Sequence, residues 1–390
     1  MVHLSPGIRA VEPYPFEELD RRKAEAAAAG RELIDFGVGD PREVTATPIR
    51  EALAAAVEPV SSYPRAAGLP ELRGAVAGWV RRRFEVELDP DDQILPTLGS
   101  KELVFSLAQT VLDRGAGRDL VVVTTPGYPI PSRGARFAGG EVLGLPLREG
   151  AGFLPDLDGV DTATWERTAL LWLNYPNNPT GAVAPLPVLE RAAELARAHG
   201  FLLASDEAYS ELWFREPPAS AVQVRDLANV IVLNTLSKRS SMTGYRSGFA
   251  AGDATVIGAL RALRPSVGVT PQEFVQRASV VAWNDEAHVT ENRARYAAKR
   301  DVFLALFGER GVDVAGSVAG LYLWVRVPGA GGSLPWAIDL LERGGLIVAP
   351  GSFFGPEGEG YVRMAMVPTL AECERAASIL AGLLPEGANA

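Results

Sequence analysis

An α/β fold is expected from this sequence, with a mostly parallel sheet packed between helices and a smaller α+β part attached. Three observations carry that expectation. Short, wholly apolar runs recur between turn residues, at Leu120 to Thr124, Leu170 to Leu173, Phe201 to Ala204 and Val230 to Leu233; runs of that kind are strands buried on both faces. Helical patterns such as Leu186 to His199 lie between them, the last closed by Gly200 at a C′ position, and strand–helix–strand spacing favours right-handed crossovers. In the last third the pattern changes: Val289, Tyr296, Phe303, Leu306 and Phe307 mark one face of a long helix, followed by short strand candidates.

Taken in order, the chain opens with a polar, proline-containing arm that lacks the apolar core of a signal peptide. The stretch Leu98-Gly-Ser-Lys-Glu102 begins a helical pattern running through Val104, Leu107, Ala108 and Val111. The four strand candidates follow. After the long helix, from about Glu286 to Phe307, strands are expected around Gly320 to Val327 and Gly360 to Met366, and the piece from Pro328 to Pro335 reads as a surface loop. A last helix starts at Thr369, where Thr369 and Glu372 form a capping-box pattern, with Cys373, Ala376, Leu380 and Leu383 on one face. Cys373 therefore reads as a small core residue. The expected division is a large unit, 46–285, and a small one built from 1–45 and 286–390.

Composition narrows the function. The 390 residues include enough apolar mass for a sizeable core. A net charge of −10 provides no basic field for nucleic acid or an anionic membrane. One cysteine excludes an internal disulfide, and the scattered His3, His199 and His288 show no metal spacing, so no metal is expected. No apolar run approaches the ~18 residues of a membrane span, and a cytoplasmic protein is expected. Only four lysines occur, Lys23, Lys101, Lys238 and Lys299, so chemistry that needs an amine has four candidates.

Four segments could carry such chemistry. Lys238 follows the strand candidate ending at Leu233, within Asn234-Thr-Leu-Ser-Lys-Arg-Ser-Ser-Met-Thr-Gly-Tyr-Arg246; parallel sheets bind ligands beyond their carboxyl ends, and Thr235, Ser237, Ser240, Ser241 and Arg246 could donate to a phosphate. Asp206 and Tyr209 sit beyond another buried strand, where an acid suits a protonated ring nitrogen and a phenol a ring oxygen. Asn178 lies in Asn174-Tyr-Pro-Asn-Asn-Pro-Thr-Gly181, a loop stiffened by two prolines. Gly99, Ser100 and Lys101 open a helix whose free N–H groups could hold a phosphate. Each segment alone also has an ordinary reading: a solvated loop, a helix N-cap, a β-turn, a plain helix start. Neither a Walker A loop nor a G-x-G-x-x-G fingerprint is present, which disfavours ATP and NAD.

Together and in this order, the segments resemble a fold-type I, pyridoxal-phosphate-dependent aminotransferase of class I/II. The resemblance runs from Gly37-Val-Gly-Asp-Pro41 through Tyr63-Pro-x3-Gly68-x3-Leu72-Arg73, Gly99-Ser-Lys101, Pro126-Gly-Tyr128, Asn178-Pro-Thr-Gly181, Asp206-x2-Tyr209, Ser237-Lys238 and Arg246 to Arg363. It implies pyridoxal 5'-phosphate as cofactor, bound covalently by Lys238, which also moves the reacting proton. Asp206 then pairs with the ring nitrogen, Asn178 and Tyr209 with the ring hydroxyl, and Tyr128 stacks on the ring. Ser100, the Lys101 backbone, Thr235, Ser237 and Arg246 bind the phosphate. Tyr63 reaches the phosphate of a second subunit, which implies a homodimer with shared active sites. Arg363 clamps the substrate carboxylate, helped by backbone near Gly39, with Tyr128 and Asn178 beside it.

Two positions depart from the family pattern: Thr235 stands where Ser or Gly is usual, and Ser247 where an aliphatic residue is usual. Within the family the chain most resembles N-succinyl-diaminopimelate aminotransferases, through the runs Tyr63 to Arg73, Leu95 to Glu102 and Ala282-Trp-Asn-Asp-Glu-Ala-His288. The implied reaction passes an amino group between glutamate and N-succinyl-2-amino-6-oxopimelate; a β- or γ-eliminating lyase, or an aminotransferase for aspartate or aromatic substrates, is the alternative. Arg42, Arg65, Arg133, Arg239 and Arg295 are available to read a distal acidic group, and no one of them is singled out.

Overall fold

A computed structural model describes residues 2–4, 6–9, 17–329 and 331–385. Its centre is a seven-stranded sheet made of β1 (Ile94–Thr97), β2 (Leu120–Thr125), β3 (Glu141–Pro146), β4 (Thr168–Asn174), β5 (Leu202–Asp206), β6 (Val230–Thr235) and β7 (Gly248–Gly252), in the spatial order β1-β7-β6-β5-β4-β2-β3. The pairs β2–β3, β2–β4, β4–β5 and β5–β6 are parallel, whereas β7 runs antiparallel to both of its neighbours. The sheet is thus mostly parallel, as expected.

Alternation within β6 shows why its strand run is continuously apolar. Val230 and Val232 point into the core shared with helices Pro70–Phe84, Leu186–His199 and Glu273–Asn284; Ile231 and Leu233 point into the core under helices Lys101–Ser106, Ile130–Phe137 and Ala254–Val267. With helices on both faces, neither set can be polar. Helix Leu186–His199 ends at Gly200 in the left-handed conformation (φ 71°), the C′ position the sequence marks. The expected helix from Lys101 to Val111 is interrupted at Leu107, between segments Lys101–Ser106 and Ala108–Val111.

A second, antiparallel sheet has the order β10-β11-β9-β8, from β8 (Val314–Ala315), β9 (Tyr322–Arg326), β10 (Ala349–Pro350) and β11 (Tyr361–Ala365). Helices Ala287–Arg310 and Leu370–Leu383 cover it, burying Tyr296, Phe303, Phe307, Cys373, Ala376 and Leu380. Thr369 caps the final helix in a complete capping box with Glu372. Burial pushes the Cys373 thiol up to about 12, which fits a packing role.

The surface loop expected over 328–335 needs correction: helix Ser333–Gly344 begins inside it, and Pro335 sits in its first turn, where a missing N–H leaves no helical bond unmade. Position 330 lies outside the described residues. Among the described residues no helix is long and apolar enough to cross a membrane.

Candidate active site

Register brings the carboxyl ends of the parallel strands to one edge of the large sheet. Asn174 pairs with Asp206, Asp206 with Leu233, and Thr235 and Thr97 both with Gly248. A cavity of about 350 Å³ opens there. Its walls include Gly39, Ser100, Lys101, Tyr128, Asn178, Asp206, Tyr209, Thr235, Ser237, Lys238, Arg246 and Arg363. The site residues that the family resemblance implies are all among them except Tyr63, which is fully exposed at 102%; Ser240 and Ser241, read from the sequence as possible phosphate donors, are buried and do not line the cavity.

Lys238 lies on a single helical turn, Leu236–Arg239, capped by the Thr235 hydroxyl, which accepts from the Ser237 N–H. Its ammonium donates to the Gly39 carbonyl at 2.6 Å. Burial lowers its pKa to about 8; Asp40 opposes this, while Arg363 and Arg246 add to it. Lys101 also lines the cavity but is exposed. The other two lysines are committed to ion pairs, Lys23 with Asp35 and Lys299 with Glu43.

Asp206 is buried, and burial raises its carboxyl to about 6 against the opposing Ala208 N–H and Lys238 charge. The Ala208 N–H, at 3.2 Å, is its one hydrogen-bond donor among the described residues. Tyr209 is buried, which holds its phenol well above the ordinary value and therefore protonated. The Asn174 amide donates to the Asp206 carbonyl and its oxygen accepts from the Asn178 N–H, so the turn after β4 is tied to the end of β5.

Arg363, on β11, crosses from the small sheet into this edge. Its guanidinium donates to Asn178 Oδ1 at 2.8 Å and to the Gly37 carbonyl at 2.6 Å, and stacks 4.3 Å above the Tyr322 ring and 4.7 Å from that of Phe354. Arg246 is in the left-handed conformation and donates to the carbonyls of Thr243 and Leu98. Gly99 packs against it so closely that a Cβ would lie 2.6 Å from Nη2 and the guanidinium would have to shift, and its positive φ of 67° favours glycine there.

The cavity also holds residues given no role from the sequence: Val38, Asp40, Asn174 and Thr243, which lie inside the quoted motifs, and Asp20 and Tyr322, which lie outside them. Tyr322 is the most informative. Its hydroxyl bonds that of Tyr209 at 2.7 Å, and a Cβ on Gly39 would approach it to 2.2 Å. It comes from β9, far along the chain, and no local motif marks it; the glycine of the early Gly37-Val-Gly segment was the only available hint. None of the five arginines considered for a distal group lines the cavity. Arg239 is buried elsewhere, on the carbonyls of Ala282 and Asp285 and the Glu286 carboxylate.

The structure also accounts for Ser247. Its hydroxyl meets that of Ser279 at 2.7 Å, and Ser279 donates onward to the Val275 carbonyl, so a small polar pair replaces the aliphatic contact.

These donors fit pyridoxal phosphate. An amine of lowered pKa is available for an aldehyde, a buried carboxylate with a single donor for a ring N–H, and a group of hydroxyls, N–H groups and a guanidinium for a phosphate.

The family profile "Aminotransferase class I and II" matches residues 31–380. The LL-diaminopimelate aminotransferase of Oleidesulfovibrio alaskensis is 37% identical over 97% of this chain and 99% of its own length. An aminotransferase structure from Neisseria meningitidis superposes with a TM-score of 0.91 at 35% identity, covering 98% of this chain and 100% of that one. A probable N-succinyldiaminopimelate aminotransferase from Thermus thermophilus superposes with a TM-score of 0.87 at 31% identity, over 95% of this chain and 100% of that one.

Proposed function

Because the chain belongs to the class I and II aminotransferases, enzymes that use pyridoxal phosphate, we propose that it transfers the amino group of glutamate to a diaminopimelate-type acceptor, N-succinyl-2-amino-6-oxopimelate, in lysine biosynthesis. The observation that carries the amino-transfer reading is the meeting of Lys238, Asp206 and Arg363 around one cavity. The acceptor rests on the sequence runs noted above and on the name of the Thermus structure. A second acceptor reading, the unsuccinylated oxo acid that becomes diaminopimelate on gaining the amino group, is favoured by the name of the 37% identical relative.

Bound pyridoxal phosphate supplies an aldehyde that condenses with amines and a ring that accepts the electron pair left when Cα loses its proton. In this reading Lys238 holds the group covalently. Its Nζ, when neutral, would take the Cα proton of the substrate and later return it. A pKa near 8 keeps a useful fraction of that amine neutral at physiological pH. Asp206, as a buried carboxylate, keeps the ring N–H in place. Asn178 offers its amide N–H to the ring oxygen while its own oxygen stays on Arg363, and the protonated Tyr209 donates there too. Tyr128 covers the ring face. Ser100, the Lys101 N–H, Thr235, Ser237 and Arg246 hold the phosphate. Arg363 grips the substrate carboxylate beside Gly39.

The proposal includes a homodimer in which Tyr63 completes the partner's phosphate site. Full exposure of Tyr63, together with exposed Val38, Val44, Val57 and Val60, supports this. It also includes the division into a large unit, 46–285, and a small one, 1–45 with 286–390.

The test is Lys238→Ala, which should abolish both the visible absorbance of covalently held cofactor and turnover. Full activity in that variant overturns the assignment. Glutamate added to the wild-type holoenzyme should bleach the visible band, and a panel of 2-oxo acids and the two diaminopimelate-type acceptors should restore it selectively. Release of pyruvate and ammonia from a cysteine-like substrate would instead show elimination.

A further inference from the structure

Two residues beyond Lys238, the chain makes a second constellation. The His288 ring lies with Nδ1 2.9 Å from Asp285 Oδ2 and Nε2 2.8 Å from Ser240 Oγ. Asp285 can only accept, so Nδ1 carries the proton and Nε2 is left to accept the Ser240 hydroxyl proton. Burial keeps the imidazole neutral, its pKa lowered, with the Arg239 charge adding to that and Asp285 and Glu286 opposing it. The order Ser–His–Asp is that of a hydrolytic triad, yet Ser240 is 1% exposed and does not line the cavity, so no ester or amide can reach its oxygen.

The same stretch is tied down from several sides. Arg239 donates to the carbonyls of Ala282 and Asp285 and to Glu286, and its guanidinium lies over the Trp283 ring at 5.0 Å. The Asn292 amide donates to the Arg239 carbonyl at 3.3 Å, and the Thr45 hydroxyl to that of Ser241 at 2.7 Å. The turn Leu236–Arg239 that carries Lys238 is one turn long and cannot hold its own orientation by helical bonds alone. Its far end is therefore set by residues 282–292, which run from the end of helix Glu273–Asn284 into the start of the long helix that packs on the sheet bearing Arg363.

We propose that His288 is a positioning residue for Lys238: by accepting the Ser240 hydroxyl and holding Asp285, it sets the direction of the lysine relative to the Arg363 side of the site. This rests on the reading of Lys238 as the cofactor-bearing amine. It gives the segment Ala282-Trp-Asn-Asp-Glu-Ala-His288 a role that the cavity alone does not assign.

Two substitutions separate the ring's two bonds. His288→Gln can present an oxygen to Ser240 in place of Nε2, whereas His288→Asn can present an N–H to Asp285 in place of Nδ1 but cannot reach Ser240. In purified holoenzyme, His288→Asn and Ser240→Ala are each expected to lower kcat about tenfold, as for loss of one orienting hydrogen bond, with KM for glutamate nearly unchanged. Both should also move the midpoint of the pH titration of the cofactor's visible band, a readout independent of turnover. His288→Gln should restore most of both signals, and Ser240→Ala combined with His288→Asn should be no worse than either alone. Thermal unfolding of each variant identifies folding defects; for a variant that does not fold, Asp285→Ala, which removes the acceptor of the Nδ1 proton at a partly exposed position, gives the same band-shift test. Equal behaviour of the Gln and Asn variants, or an unmoved band midpoint in all of them, overturns the proposal. So does hydrolysis of p-nitrophenyl acetate that is lost in Ser240→Ala, which would make Ser240 a nucleophile. Failure of Lys238→Ala to abolish the band would overturn the prior reading instead.

Discussion

Asp206→Asn offers the sharpest test of the site's electrostatics, because it should act in opposite directions on the empty and the loaded protein. The carboxyl rises from 3.8 to about 6 through burial, with one N–H donor and a nearby lysine only partly offsetting it. At ~1.4 kcal/mol per pH unit the rise amounts to about 3 kcal/mol of instability when the group is ionised. The sign follows from the raised value. Below the unfolded value the carboxyl is protonated in both states and the burden vanishes; between about 4 and 6 the folded chain binds more protons than the unfolded one, so stability falls as pH rises; above about 6 the burden is constant. Asparagine keeps an oxygen for the Ala208 N–H and carries no charge. The apo variant should therefore be more stable than the apo wild type by up to about 3 kcal/mol at pH 8, and the gain should disappear near pH 4. Urea unfolding of cofactor-free protein at matched concentration across that range measures it. Loaded with cofactor, the same variant should lose kcat about a hundredfold or more, since a fixed charge opposite the ring nitrogen is gone. A pH-independent stability difference, or wild-type turnover in the loaded variant, would refute the reasoning.

Other expectations can be checked alongside it. Arg363→Lys should raise KM for glutamate and lower kcat/KM about a hundredfold, because an ammonium cannot make the paired contacts of a guanidinium; steady-state kinetics decide this. Tyr322→Phe should cost about tenfold in kcat/KM, by removing the hydroxyl that meets Tyr209, with little change in unfolding midpoint. Ser279→Ala should destabilise the protein by about 1–3 kcal/mol because Ser247 loses its acceptor, and adding Ser247→Ala should recover part of that in urea unfolding. Cofactor capture by the apo chain should quicken as pH rises through about 8, as Lys238 loses its proton; stopped-flow absorbance follows it.

What could be read from the chain, and what could not, divides along physical lines. Strands β2, β4, β5 and β6 announce themselves because helices on both faces demand unbroken apolar runs. Strand β7 does not: Gly248-Phe-Ala-Ala-Gly252 contains no β-branched residue, and its strand state comes from two flanking partners rather than from propensity. Strands β1 and β3 sit at the two sheet edges and include Pro96 and Pro146, residues that weaken a strand pattern. In the site, the side chains just beyond strand ends were legible because their motifs are local. Tyr322 was not, since it enters the cavity through tertiary packing alone. The Ser247 departure became intelligible only beside Ser279, a helix away. His288 has no metal spacing to mark it, and its two partners lie one turn and 48 residues away in sequence.

The reversed strand β7 has a further consequence. Thr235 stands opposite Gly248 on the same rung of the ladder, so the chain leaves the sheet and re-enters it at one place, like a purse drawn closed at the neck. Segments that follow the parallel strands lead into helices on the outside, where an added residue can be absorbed by a longer turn in solvent. Residues 236–247 reach solvent only around Gly244, between the two site residues Lys238 and Arg246. An insertion or deletion between those two anchors is therefore expected to displace Lys238, Arg246 or both. Length variation among natural or engineered versions of this protein should therefore be absent from that stretch while it is tolerated in the exposed turn at Glu149–Ala151, and a library of single-residue insertions scored for cofactor retention would map the difference directly.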